Sequence, residues 1–184
     1  MIILGIDPGS RKVGFGIIES QGRNIKHLAS GCIKLDPKQD YLQRLKILFT
    51  KVTELTQKYS IDEISLESLI YVKSPTALIK LAQARGAILT ALLQTHEGKI
   101  FEYSPNLIKS VAVGDGHADK KSVQKVLSYS IGIDEFESDD ESDALAAAIC
   151  HSVYRGREAL MGRPTKKRKN ASLKNSLKHK MMDV

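Results

Sequence analysis

The 184-residue chain has no tryptophan and only two cysteines, Cys32 and Cys150. Two cysteines so far apart form neither a disulfide framework nor a zinc-type spacing, which predicts a reducing, cytoplasmic setting. No stretch approaches the ~20 consecutive apolar residues of a bilayer span, so no membrane association is expected. The opening MIILGIDPGS lacks a basic segment, and its apolar run is too short for a secretory signal. The length suits one domain with room for a sizeable core.

Net negative charge is also missing: 28 Lys and Arg stand against 21 Asp and Glu. The excess lies at one end. From Arg163 onward eight basic residues face Asp183 alone, which leaves residues 1–162 without net charge. The stretch PTKKRKNASLKNSLKHK is polar and poor in large apolar groups. It predicts a disordered basic tail over 158–184, following a single domain over 1–157. Solvation of an exposed end and non-specific phosphate binding account for such a tail equally well.

The pattern along the chain predicts strands first. IILGI (2–6), closed by the turn DPGS, reads as a buried strand. VGFGIIE (13–19) and NIKHLASGCIKL (24–35), separated by QGR, read as a hairpin. Leu42, Leu45, Leu48, Phe49, Val52 and Leu55 recur at three-to-four spacing, an amphipathic helix from Tyr41 to Tyr59 with Asp40 as N-cap. DEISLE (62–67) and KIFEY (99–103) are short strands. Ser74-Pro75 and Ser104-Pro105 each give an N-cap followed by a proline at the first helical position, opening a long helix to about Gln94 and a short one containing Lys109. GDGHAD (114–119) is a loop, KKSVQKVLSYS a helix, and a last helix begins near Ser138. Three strands on short turns, then strands alternating with helices, imply an α/β fold with a mixed sheet flanked by helices. The helix over 75–94 is apolar round most of its circumference, which predicts burial on two sides. One side faces the sheet and the other a second copy of the chain, in a two-fold homodimer.

At 137–143 the sequence ESDDESD packs five carboxylates into seven residues, directly ahead of the apolar run ALAAAIC. Such crowding costs energy unless solvent, a helix N-terminus or a cation offsets it. Asp7 ends the first strand and Glu67 ends DEISLE. If those strands are parallel neighbours, both carboxylates leave the same sheet edge, where α/β sheets place their chemistry. Ser138-x-x-Glu141 has the form of a capping box. Asp140 and Asp143 then share a helical face, although Asp139, four before Asp143, fits the spacing as well. Carboxylates converging from several elements suit a hard divalent cation such as Mg²⁺. The helix macrodipole by itself explains Glu141, and Glu137 and Asp139 read as solvated bystanders.

GIDPGSRKVGFGI, then LES after a strand, ALIKLAQARGAIL, EYSPNLIKSVAVGDGHADKKSVQ and DESDALAAAICH follow one another in an order and spacing that resemble the RuvC-type Holliday-junction resolvases. That family has an RNase H-like fold, here a five-stranded sheet. The resemblance covers roughly residues 1–157 and omits the basic tail. It implies that Asp7, Glu67, Asp140 and Asp143 are the metal ligands, which selects Asp140 over Asp139. It also implies two Mg²⁺ per site, with Mn²⁺ able to substitute, and paired nicks in like-polarity strands of a four-way DNA junction. Lys109 and Lys120 match the family's phosphate-contacting positions. Lys121 adjoins them, and either lysine of that pair qualifies as the closer one. Arg85, Ile70 and Tyr71 complete the expected DNA-contacting set. The family's partners add a homodimer through the helix 75–94 and the RuvAB branch-migration complex.

One position departs from the pattern. The family usually has a Phe where this chain has Ile70, and Ile cannot stack on a base; neighbouring Tyr71 is the candidate substitute. His117 and His151 lack ligand-spaced partners and read as structural or solvated. Three rivals remain. A sugar-kinase or actin-like ATPase shares a turn like GIDPGS but needs a second, duplicated domain. A non-catalytic nucleic-acid-binding relative leaves the matched carboxylates without a purpose. A nuclease of RNA or hybrids is disfavoured by the lysine-bearing loop and the dimer helix.

Overall fold

The structure is a computed structural model that describes residues 1–160 except 23, 70–73, 117 and 134. Its elements follow the expected order: β1 (Ile2–Asp7), β2 (Lys12–Gln21), β3 (Asn24–Lys34), α1 (Tyr41–Lys58), β4 (Glu63–Glu67), α2 (Pro75–Leu93), β5 (Ile100–Tyr103), α3 (Pro105–Val113), α4 (Lys120–Ile131) and α5 (Asp139–Leu160). The helix starts lie where local chemistry puts them. Asp40 accepts from the amides of Leu42 and Gln43, Ser74 from Ala77 and Ser104 from Leu107, with Pro75 and Pro105 inside the first turns. Asp119, unnoticed in the loop GDGHAD, caps α4 through the Ser122 amide at 2.8 Å. Left-handed glycines end α3 and α4, Gly114 at φ 83° and Gly132 at φ 68°.

The sheet has five strands in the order β3-β2-β1-β4-β5. β1 is antiparallel to β2 and parallel to β4, so the sheet is mixed as expected, and the parallel pairing the carboxylate reading needs is present. Side chains alternate across it. Leu4, Ile6, Val13, Ile17, Ile64 and Leu66 form one core with α1 and α2. Ile3, Ile18 and Tyr103 form a second core with α3, α4 and α5 on the opposite face. The same alternation places Gly5 and Asp7 of β1, and Glu63, Ser65 and Glu67 of β4, on the α5 side.

Helix α5 lies on the sheet at backbone contact. A Cβ on Gly14 would stand 1.8 Å from the Asp140 carbonyl oxygen, and one on Gly5 would stand 2.0 Å from that of Ala144. Leu145 closes against Gly16, and the fully buried Ser65 hydroxyl donates to the Ala147 carbonyl at 2.7 Å. The small residues of ALAAAIC are thus the surface that lets the helix settle, and the settling fixes where its acidic first turn lies.

Two expectations need correction. Helix α2, 19 residues with mean hydropathy 1.3, is long and apolar enough to cross a bilayer, which the sequence reading denied. It is the crossover between the parallel strands β4 and β5, and Ala84, Ile88, Ala91 and Leu92 pack into the core. Its outer side leaves Ile79 and Leu93 exposed. Second, Ser138 caps α5 as foreseen, accepting from the Glu141 amide at 3.3 Å, but the capping box is not reciprocal. Glu141 is buried and instead accepts from the Glu137 amide and the Ser30 hydroxyl, fastening the helix start to β3. Residues 161–184, which hold most of the basic tail, lie outside the described residues, as do Ile70, Tyr71 and His117.

Gly14→Ala is expected to lower stability by roughly 3 kcal/mol, because a backbone carbonyl cannot move aside as a side chain can. Gly156→Ala, in the same helix with open space where its Cβ would go, should instead add about 0.5–1 kcal/mol. Urea unfolding of both variants measures the contrast.

Candidate active site

Adjacent parallel strands end in Asp7 and Glu67, on the face that α5 covers. Asp140 and Asp143 come from the first turns of α5, set over that edge by the glycine contacts. The carboxylates feel one another. Burial, followed by the charges of Asp143 and Asp140, pushes the Asp7 carboxyl from 3.8 up to about 7. Burial, then Asp7 and Asp143, pushes Glu67 from 4.5 up to about 8. Asp143 is raised too, chiefly by burial, with Lys120 opposing. Asp140 also borders an open depression of about 320 Å³ beside Gly9, Ser10, Arg11 and Lys12. These two cations, beside a carboxylate of the cluster, were missed because the sequence reading treated DPGS only as a turn.

Of the paired lysines, Lys120 is the one at the cluster. Its Nζ is 3.3 Å from Asp143 Oδ2 and 3.3 Å from Asp139 Oδ2. Burial works against the ammonium, but the charges and hydrogen bonds of Asp143 and Asp139 keep its pKa raised. Lys121 is exposed and acts on Asp119. Lys109, on α3, lies near enough to Glu67 to oppose the rise of its pKa. The supposed bystanders have partners: Asp139 holds Lys120 and accepts from Gln124 at 3.2 Å, and Glu137 pairs with Lys34. Both partnerships join residues far apart in sequence, which spacing cannot reveal.

Arg85 does not face outward as its expected DNA-contacting role requires. It is 6% exposed, donates to the Glu67 carbonyl oxygen at 2.7 Å and pairs with Glu102. A guanidinium enclosed by two acceptors beneath the sheet edge cannot serve a phosphate. His151 is structural, as one of its two readings had it. Fully buried, it meets the Tyr103 hydroxyl at 2.7 Å and Glu63 at 2.7 Å, and Arg155 also binds Glu63.

Among the described residues, no three His, Cys, Asp or Glu side chains close into a ready-made ligand cage. The chemistry of the donors nevertheless fits a hard divalent cation: all are carboxylate oxygens, drawn from separate elements and in mutual repulsion. A cation that neutralises them also attracts a phosphate diester.

A profile of the family "Crossover junction endodeoxyribonuclease RuvC" matches residues 3–151. The chain belongs to this RuvC family. Relatives of that name include one from Geobacter sp. (strain M21), 38% identical over 88% of this chain and 98% of its own length. Another, from Hydrogenovibrio crunogenus, is 44% identical over 83% of this chain and 87% of its own. Among solved structures, Thermus thermophilus RuvC in complex with Holliday junction substrate superposes with a TM-score of 0.79 at 26% identity, covering 85% of this chain and 96% of that one. The mixed sheet is accordingly the RNase H-like fold of RuvC, and the chain is an endonuclease of crossover junctions.

The raised carboxyls make a signed prediction for this RuvC-family chain. Asp7 and Glu67 bind protons more tightly folded than unfolded, so their contribution to stability is full below about pH 4 and is lost as pH rises through about 7 to 8. In EDTA, the melting temperature should fall over that window. Asp7→Asn, uncharged throughout, should flatten the fall, and Mg²⁺ should raise the melting temperature more at the alkaline end than at the acid end. An identical pH slope in Asp7→Asn would show that the cluster is not the source.

Proposed function

We propose that this chain cuts four-way DNA junctions by paired nicks in two strands of like polarity, one from each site of a homodimer, during recombination and repair. The observation that carries the reading is the convergence of Asp7 and Glu67, from adjacent parallel strands, with two acids from the start of α5. Asp7, Glu67, Asp140 and Asp143 are the groups to hold two Mg²⁺, or Mn²⁺ in their place. Bound there, such ions lower the pKa of an attacking water and offset the charge on the phosphate and the departing oxygen.

The chain's own residues do the rest. The carboxylates fix the cluster at the sheet edge, so a phosphate meets it in one orientation. Lys120 and Lys109 bring ammonium groups to the same edge and draw the diester in against the acid charge. Water adds to phosphorus, the P–O3′ bond breaks and its proton ends on the 3′ oxygen. The products are a 5′-phosphate and a 3′-hydroxyl. Lys121 is exposed beside Lys120 and suits a more distant phosphate. The roles of Ile70 and Tyr71 at the junction centre remain part of this reading, on residues outside those described.

Helix α2 supports the dimer. Its outer face carries exposed Ile79 and Leu93, and Gly86 between them has open space where a Cβ would point, so a second copy of the helix can approach closely. The Thermus thermophilus relative of known structure is in complex with Holliday junction substrate, which supports junction DNA as the ligand here. A cytoplasmic location and work alongside RuvAB follow from the same reading, and the basic tail is a further candidate for the DNA or for that partner.

The decisive experiment incubates the protein with labelled four-way junction, linear duplex and RNA–DNA hybrid, in Mg²⁺ or in EDTA. Symmetric, Mg²⁺-dependent nicks in the junction alone are expected. Binding with no nick in any metal would favour a non-catalytic relative, and cutting of the hybrid a nuclease of different substrate. Asp7→Asn should cost on the order of 10³-fold in cutting, the scale of losing an electrostatic stabiliser, while junction binding survives. Lys120→Ala should weaken cutting or binding and flatten the salt dependence of binding by about one unit of slope. Unchanged behaviour there would transfer the role to Lys121.

A further inference from the structure

The buried position of Arg85 gives it a task different from touching DNA. β4 pairs with β1 only as far as Leu66, opposite Ile6. Glu67 is therefore the first residue of β4 past that ladder, and its side chain is one of the clustered carboxylates. At this point Arg85 reaches up from α2 and donates to the Glu67 carbonyl oxygen at 2.7 Å. A second guanidinium nitrogen pairs with Glu102 on β5. Side chains of the pair are 8% and 17% exposed, so water does little to share the load. One planar fork thus ties a helix to two strands at the end of the sheet that bears the site. Arginine can do this because its donors are rigidly spaced, whereas a lysine offers a single point charge.

We propose that Arg85 is a positioning residue: it holds the end of β4 against α2 and β5 so that the Glu67 carboxylate stands at the cluster, with Glu102 anchoring the guanidinium. The inference rests on the ligand role given to Glu67 above. It adds that the seat of α2, the helix assigned to the dimer, reaches the metal ligands through one side chain. Residues that orient a ligand without touching the metal are commonly worth 10–100-fold in metal affinity, and Arg85 is expected to act on that scale, about 10–100-fold.

Two variants test it. Arg85→Lys keeps the charge but cannot bridge both acceptors. The double variant Arg85→Met with Glu102→Met removes both ends of the pair and strands no buried charge, which commonly leaves stability near its original value. Each is measured at a temperature where circular dichroism shows it folded. The first readout is Mn²⁺ binding to the protein alone, followed by loss of the electron paramagnetic resonance signal of free Mn²⁺. The second is the Mg²⁺ concentration for half-maximal junction cutting. Both midpoints should rise about 10–100-fold, saturating Mg²⁺ should recover most of the rate, and junction binding in EDTA should not change. Folded variants with wild-type midpoints overturn the proposal. So does failure of both to fold, since Arg85 then holds the domain and not one carboxylate. A wild-type protein that neither binds Mn²⁺ nor cuts removes the ligand role of Glu67 itself, which is a different failure.

Discussion

Everything at the candidate site depends on how closely α5 approaches the sheet. Glycines on β1 and β2 leave no Cβ between strand and helix, and the helix backbone at Asp140 and Ala144, with the Leu145 side chain, takes the space they leave. Hydrogen bonds then set the helix along its axis. Ser30 holds Glu141 at its start, Ser65 the Ala147 carbonyl at its middle, and Ser20 meets Ser152 further on at 2.7 Å. Glu63 takes His151 and Arg155 near the far end. A helix held at this many points cannot slide, so Asp140 and Asp143 stay above the strand ends that carry Asp7 and Glu67.

That placement opposes stability and serves chemistry. Half-buried acids with few cations beside them resist ionisation, which is why Asp7 and Glu67 keep their protons to unusually high pH. The fold bears this because its apolar burial lies elsewhere. One core fills the α1–α2 side of the sheet and another lies under α3, α4 and α5, while the acids occupy only the edge. Lys120 and Lys109 supply part of the offset from the helices α4 and α3. The same positive charges suit a phosphate, so on the proposed reading compensation of the cluster and attraction of substrate come from the same side chains.

Much of the architecture was legible in the chain. Capping by Asp40, Ser74 and Ser104 involves atoms within a few residues of one another, and so does the alternation of β1 and β4. Asp7 and Glu67 could be singled out because each ends an apolar strand. Glu137 and Asp139 are exposed, as expected, but their ion pairs were not foreseen and Arg85 was misread, for a common reason. Their partners are Lys34, Lys120 and Glu102, none of which is close to them in sequence. A solvated charge counted in a run does not reveal the counter-charge that the fold brings beside it, and an arginine on an apolar helix looks outward until a strand end lies beneath it.

By itself the sequence determined the element order, the helix starts, the face of each strand and the set of acids able to meet, because period and capping are short-range effects of covalent geometry. Only the tertiary structure decided which lysine of the adjacent pair reaches the acids, that Glu141 is a fastening to β3, and that Arg85 is buried against Glu102 and the Glu67 carbonyl. Those outcomes turn on pairings between residues about 17 to 111 positions apart, made when α5 and α2 close on opposite faces of the sheet. Distance and direction across the sheet, not spacing along the chain, select them.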